Sequence, residues 1–424
     1  MKITVIDEVE FDGKVVKALI DRVAATATLA KAKYTTYKGA VSILDRKFDD
    51  ETLKNNKLPN DFRGEIVDSI TAYLIGKPIT YSVKDAGDTL VKTLTDYKKR
   101  NNIHAMDVEL VKLMACCGEA GRLLYLDDGN IRVQNLENWK YITIWKEDIL
   151  YAVIYYYRNI RVDGVEYITA EVYDRKNVTV WMEKDSAYEI LVAEKDHGFA
   201  EVPFIPVLNN KESLGDFDKV DDLIDAYDKT VSDMQNEVEE HRVAYQVFKN
   251  CKVDAKVKEQ ARLTGAFNIP KGGEVKYLVK EINAEFINKH LDRLEENIYR
   301  FSKTVNMSDE KFSGDTQSGV SRKWKLLHLE FRATIKQLSL IEGLMEQFRI
   351  MEYIWKAKGL KFEYLDVEMS FTRNIPMELK EAAETGEKLS LLTSRRTVLE
   401  TLPNVPDVDE ELKRIDAETD DELE

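Results

Sequence analysis

The sequence predicts an α+β protein in which strands gather ahead of long helices, and three stretches carry that expectation. Residues 122–207 are dense in Val, Ile, Tyr and Thr at short, turn-punctuated spacing, the pattern of an antiparallel sheet. Two apolar heptad rows, within 220–248 and 287–305, bracket a stretch broken by glycine and proline. Residues 319–358 contain no proline and repeat apolar side chains at helical spacing.

Residues 1–60 carry helical periodicity with charged faces. In YLIGKPITY (73–81), Gly76 and Pro78 stop any helix, and the β-branched Ile79 and Thr80 favour an extended chain. A second helical stretch is expected over about 87–118, ending at Gly118. Asp128-Gly129 then stands between two alternating apolar runs and signals a hairpin. With ILYAVIYYYRN, VEYITAEVYD and VTVWMEK the region reads as one antiparallel sheet of about five to seven strands. The tyrosines at 155–157 read as sheet core and edge, not as a base-stacking platform. GFAEVPFIPVLNN (198–210), with two prolines, closes the region.

Val220, Ile224, Tyr227, Val231, Met234, Val238, His241, Tyr245 and Phe248 alternate gaps of four and three, with Asp and Glu crowding the other faces. That predicts one helix of about 30 residues, roughly 45 Å long. Residues 250–282, interrupted by GAFNIPKGG, read as a compact β-rich excursion. Ile287, Leu291, Leu294, Ile298, Phe301 and Val305 resume the heptad, so two helices should return antiparallel and pack side by side. In the third long helix the expected apolar row is Trp324, Leu327, Phe331, Ile335, Leu338, Ile341, Met345 and Phe348, with a bend at Gly343. Residues 361–376 read as a strand ending at Pro376, and 377–402 as helical. The tail, 405–424, has ten acids and two bases and is expected to be a short helix that frays.

The chain of 424 residues carries a net charge of −15, which taken alone argues against tight nucleic-acid binding. No run of 18 apolar residues exists to span a membrane. The N-terminus, MKITVIDEVEFDGK, has acids where a signal peptide needs an apolar run, so the chain is expected to stay in the compartment where it is made. Cys116, Cys117 and Cys251 read as reduced thiols. The five histidines (His104, His197, His241, His290 and His328) lie far apart, and neither a metal site nor a cofactor is expected.

SGDTQSGVSRKWK (313–325) resembles a phosphate-binding loop in which Val320 stands where lysine belongs. Such a loop needs a buried strand before it, and the preceding residues read as helical and then polar. A different reading fits better. Ser313, Gly314, Ser318 and Gly319 are small, and Lys311, Arg322, Lys323 and Lys325 gather four cations in an acidic chain. This is a small-residue, locally basic tip between two long helices.

The order of elements and four stretches together resemble the portal proteins of tailed bacteriophages, in the branch common among long-tailed phages of Gram-positive hosts. YLIGKPITY (73–81) is similar to that branch's tyrosine, glycine-lysine-proline, tyrosine signature. VPFIPVLNNKESLGDFDKVDDLIDAYDKTVSDMQNEVEE (202–240) resembles its lead into the first stem helix. FSGDTQSGVSRKWKLLHLE (312–330) resembles its tunnel-loop junction, and FTRNIPMELKEAAE (371–384) the start of its terminal helical region. The short chain after about 377 departs from the family in leaving room only for a small crown.

The resemblance implies a ring of about a dozen subunits at one capsid vertex, around a channel for packaging and ejecting double-stranded DNA. It implies a wing (1–216), stem helix 1 (217–249), a clip (250–282), stem helix 2 (283–306) and a tunnel loop (307–318). A long wing helix and returning strand (319–376) and a crown with acidic tail (377–424) complete the subunit. The channel would be touched by Lys311, Phe312, Ser313, Gly314, Asp315, Thr316, Gln317, Ser318, Gly319, Arg322 and Lys323. The clip residues Phe267, Asn268, Ile269, Pro270, Lys271, Gly272 and Gly273 would dock the large terminase and later the head-completion or adaptor proteins. Major capsid and scaffolding proteins are the other implied partners, with assembly in the host bacterial cytoplasm. No catalysis is implied, since the terminase hydrolyses the ATP. The competing expectations are a degenerate nucleotide-binding motor subunit using 314–321, and a coiled-coil scaffold or adaptor without a DNA role.

Overall fold

The computed structural model describes residues 1–424 apart from 51–52, 85–86, 161–163, 185–186, 242–244, 252, 267–268, 279–282, 307–325, 376–378, 403–404, 406–407 and 422–424. Met1–Thr372 form one compact unit and Arg373–Glu424 another. The architecture is mixed α and β, as the sequence predicts.

Asp12 caps α1 (Gly13–Tyr37), its carboxylate accepting from the Lys14 and Val15 amides at 2.9 and 2.8 Å. α2 (Phe62–Ile75) ends at Gly76, and the chain extends into β2 (Thr80–Val83). The helical stretch expected at 87–118 is two helices, α3 (Asp88–Asn101) and α4 (Ile103–Cys117). Asn102 separates them in the left-handed region at φ 46°, a conformation its short polar side chain tolerates and a continuing helix cannot contain.

The strand-rich stretch holds two sheets instead of one. β3 (Glu119–Asp127) and β4 (Asn130–Glu137) form the Asp128-Gly129 hairpin, with positive φ at both turn residues. β10 (Phe204–Leu208) pairs antiparallel with β3 and completes a three-stranded sheet. The second sheet runs in the order β1 (Lys2–Thr4), β5 (Tyr141–Lys146), β6 (Ile149–Ile160), β7 (Glu166–Tyr173), β8 (Asn177–Lys184) and β9 (Ala187–Asp196). β1 joins β5 in parallel, the one parallel pair among the described strands.

Alternation along β6 explains how two cores share a sheet. Ala152 and Ile154 face a core with Val16, Ile20 and Val23 of α1. Val153 faces the opposite core, with Phe204 of β10 and Leu123 of β3. The tyrosines split the same way, Tyr156 against the first core and Tyr155 against the second. They lie on an interior strand, so the edge part of the expectation fails.

α5 (Asp221–His241) is shorter than its heptad row. Tyr245 and Phe248, read as its last two positions, lie in β11 (Tyr245–Lys249). An apolar gap pattern of four and three does not exclude a strand over five residues, and aromatic and β-branched YQVF pairs antiparallel with β12 (Glu274–Leu278). Between them α6 (Ala255–Thr264) occupies the stretch expected to be β-rich. Asp254 caps it through the Val257 amide at 2.9 Å, a helix-start signal stronger than the breakers downstream.

α7 (Ala284–Ser302) packs against α5. Phe62 of α2 contacts Tyr227, in the first half of α5, and Tyr299, in the last turn of α7, with ring centroids 4.9 and 5.9 Å away. Early α5 beside late α7 is the antiparallel arrangement. The polar side of α5 is not simply solvated. Asp228 and Ser232 are fully buried, and Asn236 nearly so. Residues 56–60 lie along them: Asp228 accepts from the Asn60 amide at 2.9 Å, Ser232 from Leu58 at 3.0 Å and Asn236 from Asn56 at 2.8 Å. Arg63, 3% exposed, clamps Asp221 and Asp225 at 2.6 Å each.

α8 (Leu327–Ala357) buries Phe348 at the end of the expected row but otherwise a different stripe, and Trp324 at its start lies outside the described residues. Phe331, Ile335 and Leu338 are half-exposed or more, whereas Leu329, Ala333, Lys336, Leu340, Leu344 and Gln347 are buried. Gly343 serves close packing: a Cβ there would meet Val207 Cγ2 of β10 at 2.8 Å, and α8 continues through it. After α8, β13 (Val367–Ser370), paired with β2, is the only strand among the described residues, and Pro376 lies outside them.

In the second unit the expected helix at 377–402 is α9 (Leu379–Ser390) and α10 (Arg395–Thr401). They part where Ser394 caps α10 through the Thr397 amide at 3.3 Å. α11 (Val408–Asp421) is the helix expected in the acidic tail.

Candidate functional site

Lys311 to Gly319, Arg322 and Lys323, expected in a tunnel loop, lie outside the described residues, as do Phe267 and Asn268 of the set expected in a clip. The structure does bring together the two helices on either side of residues 307–325, through a polar hub around Asp216.

Asp216 is 1% exposed and precedes α5. Backbone closeness fixes its position. Its amide donates to Ala115 O at 2.6 Å. Gly118, at φ 85°, lies where a Cβ would be 1.9 Å from Ser213 O, and a Cβ on Gly215 would be 2.5 Å from Cys116 O. Only glycine lets the 213–216 turn lie this close to the end of α4.

Two cations from α8 converge on the one carboxylate. Arg332 approaches Asp216 Oδ1 at 2.9 Å and Lys336 approaches Oδ2 at 3.0 Å. Arg332 also donates to Asp216 O at 2.7 Å and to the carbonyl of Ser302, the last residue of α7. Lys336, 2% exposed, donates to Asn209 Oδ1, and Asn209 Nδ2 donates to Asp216 Oδ1 at 2.8 Å. The hub therefore ties the end of β10, the turn before α5, the C-terminus of α7 and the first turns of α8.

Its electrostatics are lopsided. Burial raises the Asp216 carboxyl, but Lys336 and Arg332 more than reverse this and hold it below the usual carboxylate value. Burial pulls the Lys336 ammonium down, and Arg332 adds to the fall against the pull of Asp216. One carboxylate shared by two cations explains both directions.

A second buried pair anchors the middle of α8. Arg122 of β3 meets Asp107 of α4 at 2.8 Å, both almost fully buried, and donates to Gln347 Oε1 at 3.0 Å. Burial alone would lower the Arg122 pKa, and Asp107 overrides it. Lys336 and Gln347, the polar residues of the buried stripe of α8, are thus its two polar anchors. Sequence reading missed Asp216, Arg332 and Lys336. The available signal was that a stripe through 329, 333, 336, 340 and 344 carries one lysine.

The described residues of the expected clip set, 269–273, form an exposed turn before β12. Gly273 N donates to Pro270 O at 2.8 Å, and Gly272 is left-handed at φ 89°. Ile269 is 39% exposed there. The element ahead of 307–325 is helix α7 and not the buried strand a phosphate-binding loop requires. Among the described residues no cluster of His, Cys, Asp and Glu could hold a metal ion, and no helix is long and apolar enough to cross a membrane. Cys116 and Cys117 are buried and unbridged, and burial pushes the Cys117 thiol up to about 12.

A family profile described as "Phage portal protein, SPP1 Gp6-like" matches residues 16–424. The portal protein of Bacillus phage SPP1 is 26% identical over 399 residues, covering 87% of this chain and 77% of the relative. The portal protein of Clostridium phage phiCD119 is 23% identical over 394 residues, covering 85% of each. Extending from α1 to the end of the chain, the profile match takes in both helices of the bracketed pair, the hub and the terminal helices, and the chain belongs to the phage portal protein family.

Proposed function

We propose that this chain is a portal subunit: about twelve copies close into a ring at one capsid vertex, around a channel through which double-stranded DNA is packaged and ejected. Family membership over nearly the whole chain is the observation that carries the reading. Portal proteins are structural components of the virion, and the subunit itself carries no catalytic role here.

In this assignment residues 1–216 and 319–376 build the wing, and 217–249 and 283–306 hold the stem helices, α5 and α7. Residues 250–282 form the clip, which includes α6, and 377–424 the crown and acidic tail. Pro270, Lys271 and the rest of the exposed turn would meet the large terminase and later the head-completion proteins. The segment 307–318 would be the tunnel loop. A conduit must not hold its cargo, so a net charge of −15 suits the channel, with Lys311, Arg322 and Lys323 giving weak, exchangeable phosphate contacts.

Native mass spectrometry with negative-stain imaging of the purified protein tests the assembly. The expected species is a closed ring of about a dozen 48.9 kDa chains with an open bore. Open or dimeric species, persisting when scaffolding protein is supplied, would refute the ring. Unchanged packaging rate and packaged DNA length after alanine replacement of Lys311, Arg322 and Lys323 would remove the DNA-contact role from those residues.

A further inference from the structure

The hub leaves one positive charge without a partner in a buried place. Among the described residues, Asp216 is the only carboxylate in ion-pair range of Arg332 and Lys336, which are 19% and 2% exposed. Buried charge without compensation is costly, and it is relieved by a counter-charge or by loss of the proton, the second route being closed to the Arg332 guanidinium.

A cavity of about 390 Å³ opens directly onto these two cations. Its mouth carries Lys211, Lys219 and Lys303, all exposed and none in an ion pair among the described residues. Glu212 is the remaining acid of the lining. Five cations against two carboxylates leave a net charge of +3 in a chain whose total is −15. Lys303 sits at φ 57°, an unusual conformation for a side chain of its length, and that turn brings it to the cavity wall just after α7. Phe301 and Ile335, each about half-exposed, supply an apolar wall.

We infer that this cavity, between the turn before α5 and the root of the 307–325 segment, is an anion site that takes a phosphate group. Its three mouth lysines gather the anion and the buried Arg332–Lys336 pair supplies the charge that an anion completes. The phosphate can come from a free polyphosphate or from the backbone of a duplex, and these differ in size and competition behaviour.

The test uses full-length protein at low salt, with sodium tripolyphosphate as the probe in calorimetry. The informative variant is Lys211→Gln/Lys219→Gln/Lys303→Gln, three exposed positions whose replacement leaves the hub intact. A control with the same net charge, Lys54→Gln/Lys92→Gln/Lys99→Gln, removes exposed lysines elsewhere. Tripolyphosphate affinity is expected to fall about tenfold or more in the cavity variant and less than about twofold in the control. Equal losses in the two variants, no loss in the cavity variant, or no uptake by the wild type would each overturn the site. A 30-base-pair duplex added as competitor separates the sources: displacement of tripolyphosphate assigns the site to backbone phosphate, and no displacement assigns it to free polyphosphate. Only this last arm rests on the portal reading. The first is measured whatever the chain's assembly, so a chain that forms no ring and a cavity that binds no anion are distinguishable results.

Discussion

Replacing Asp216 and replacing Lys336 should have very different consequences, although they are partners in one ion pair. Asp216→Asn removes the carboxylate that, among the described residues, alone pairs with Lys336 at 3.0 Å and Arg332 at 2.9 Å. It also turns an amide N–H₂ toward one of those cations, a donor facing a donor. Leaving buried charge uncompensated costs about 3–5 kcal/mol. Lys336→Met keeps the Asp216–Arg332 pair, removes the surplus charge and leaves a side chain of similar length among Leu329, Ala333 and Leu340. Its main loss is the charge-assisted hydrogen bond to Asn209 Oδ1, about 2 kcal/mol. The difference between the variants is then about 2 kcal/mol, or roughly thirtyfold in the unfolding constant. Urea unfolding of full-length protein, followed by tryptophan fluorescence, reads the midpoints. Hydrogen exchange at the Asp216 amide, which donates to Ala115 O at 2.6 Å, reports locally on whether the turn is still seated. Equal destabilisation by the two substitutions would show that the hub works as a balanced pair and refute the argument from charge surplus.

Gly118→Ala should destabilise by more than about 3 kcal/mol, since it combines φ 85° with a Cβ 1.9 Å from Ser213 O, and thermal melts would show it. A normal melting temperature would mean that the 213–216 turn can move away from α4 at little cost. Asp228→Ala strips the Asn60 amide and side chain of their acceptor and should cost about 2 kcal/mol, with faster proteolysis within 46–60 as the specific sign of a released strap. Alkaline pH should unfold the protein steeply. The Cys117 thiol and the Tyr156 phenol are each pushed up to about 12 by burial, from 9.0 and 10.0. Groups with raised folded pKa values give stability that is present below the unfolded values and lost as pH climbs from about 9 towards 12. A flat denaturation midpoint between pH 9 and 11 would count against the burial of these groups.

Much of the fold is legible in the sequence because single residues decide it. Asp128-Gly129 makes a hairpin through its positive φ values, and Gly76 with Pro78 stops α2. The misreadings share a cause. A heptad row says that a side is apolar, and it says nothing of which side is covered. On α8 the row through Phe331, Ile335 and Leu338 is exposed, while the stripe through Lys336 and Gln347 is buried. On α5, Asp221, Asp225, Asp228, Ser232 and Asn236 are spaced by three or four, and pattern reading takes such a stripe as solvated. Its partners, Asn56, Leu58, Asn60 and Arg63, lie more than 150 residues earlier in the chain. Nothing local announces that contact. The three-stranded sheet is hidden in a similar way, because β10 reaches β3 across β5 to β9 of the six-stranded sheet.

The hub also bears on how force would pass through a portal subunit. Arg332 holds the terminal carbonyl of α7 with one nitrogen and Asp216 with others, so one guanidinium of α8 joins the last residue of α7 to the turn before α5. Asp216 is in turn held to α4 through Ala115. With 307–318 as the tunnel loop, a push on the loop cannot move α7 against α8 without breaking a buried, charged contact. It is passed instead to α4 and β3, where Arg122 and Asp107 grip the middle of α8 through Gln347. Polar anchors at both points make this coupling directional in a way an apolar seam is not, because an apolar seam can slide by exchanging similar contacts while a buried ion pair has one register. The same reasoning accounts for a lysine and a glutamine on the buried stripe of α8 where leucine would have given a simpler core.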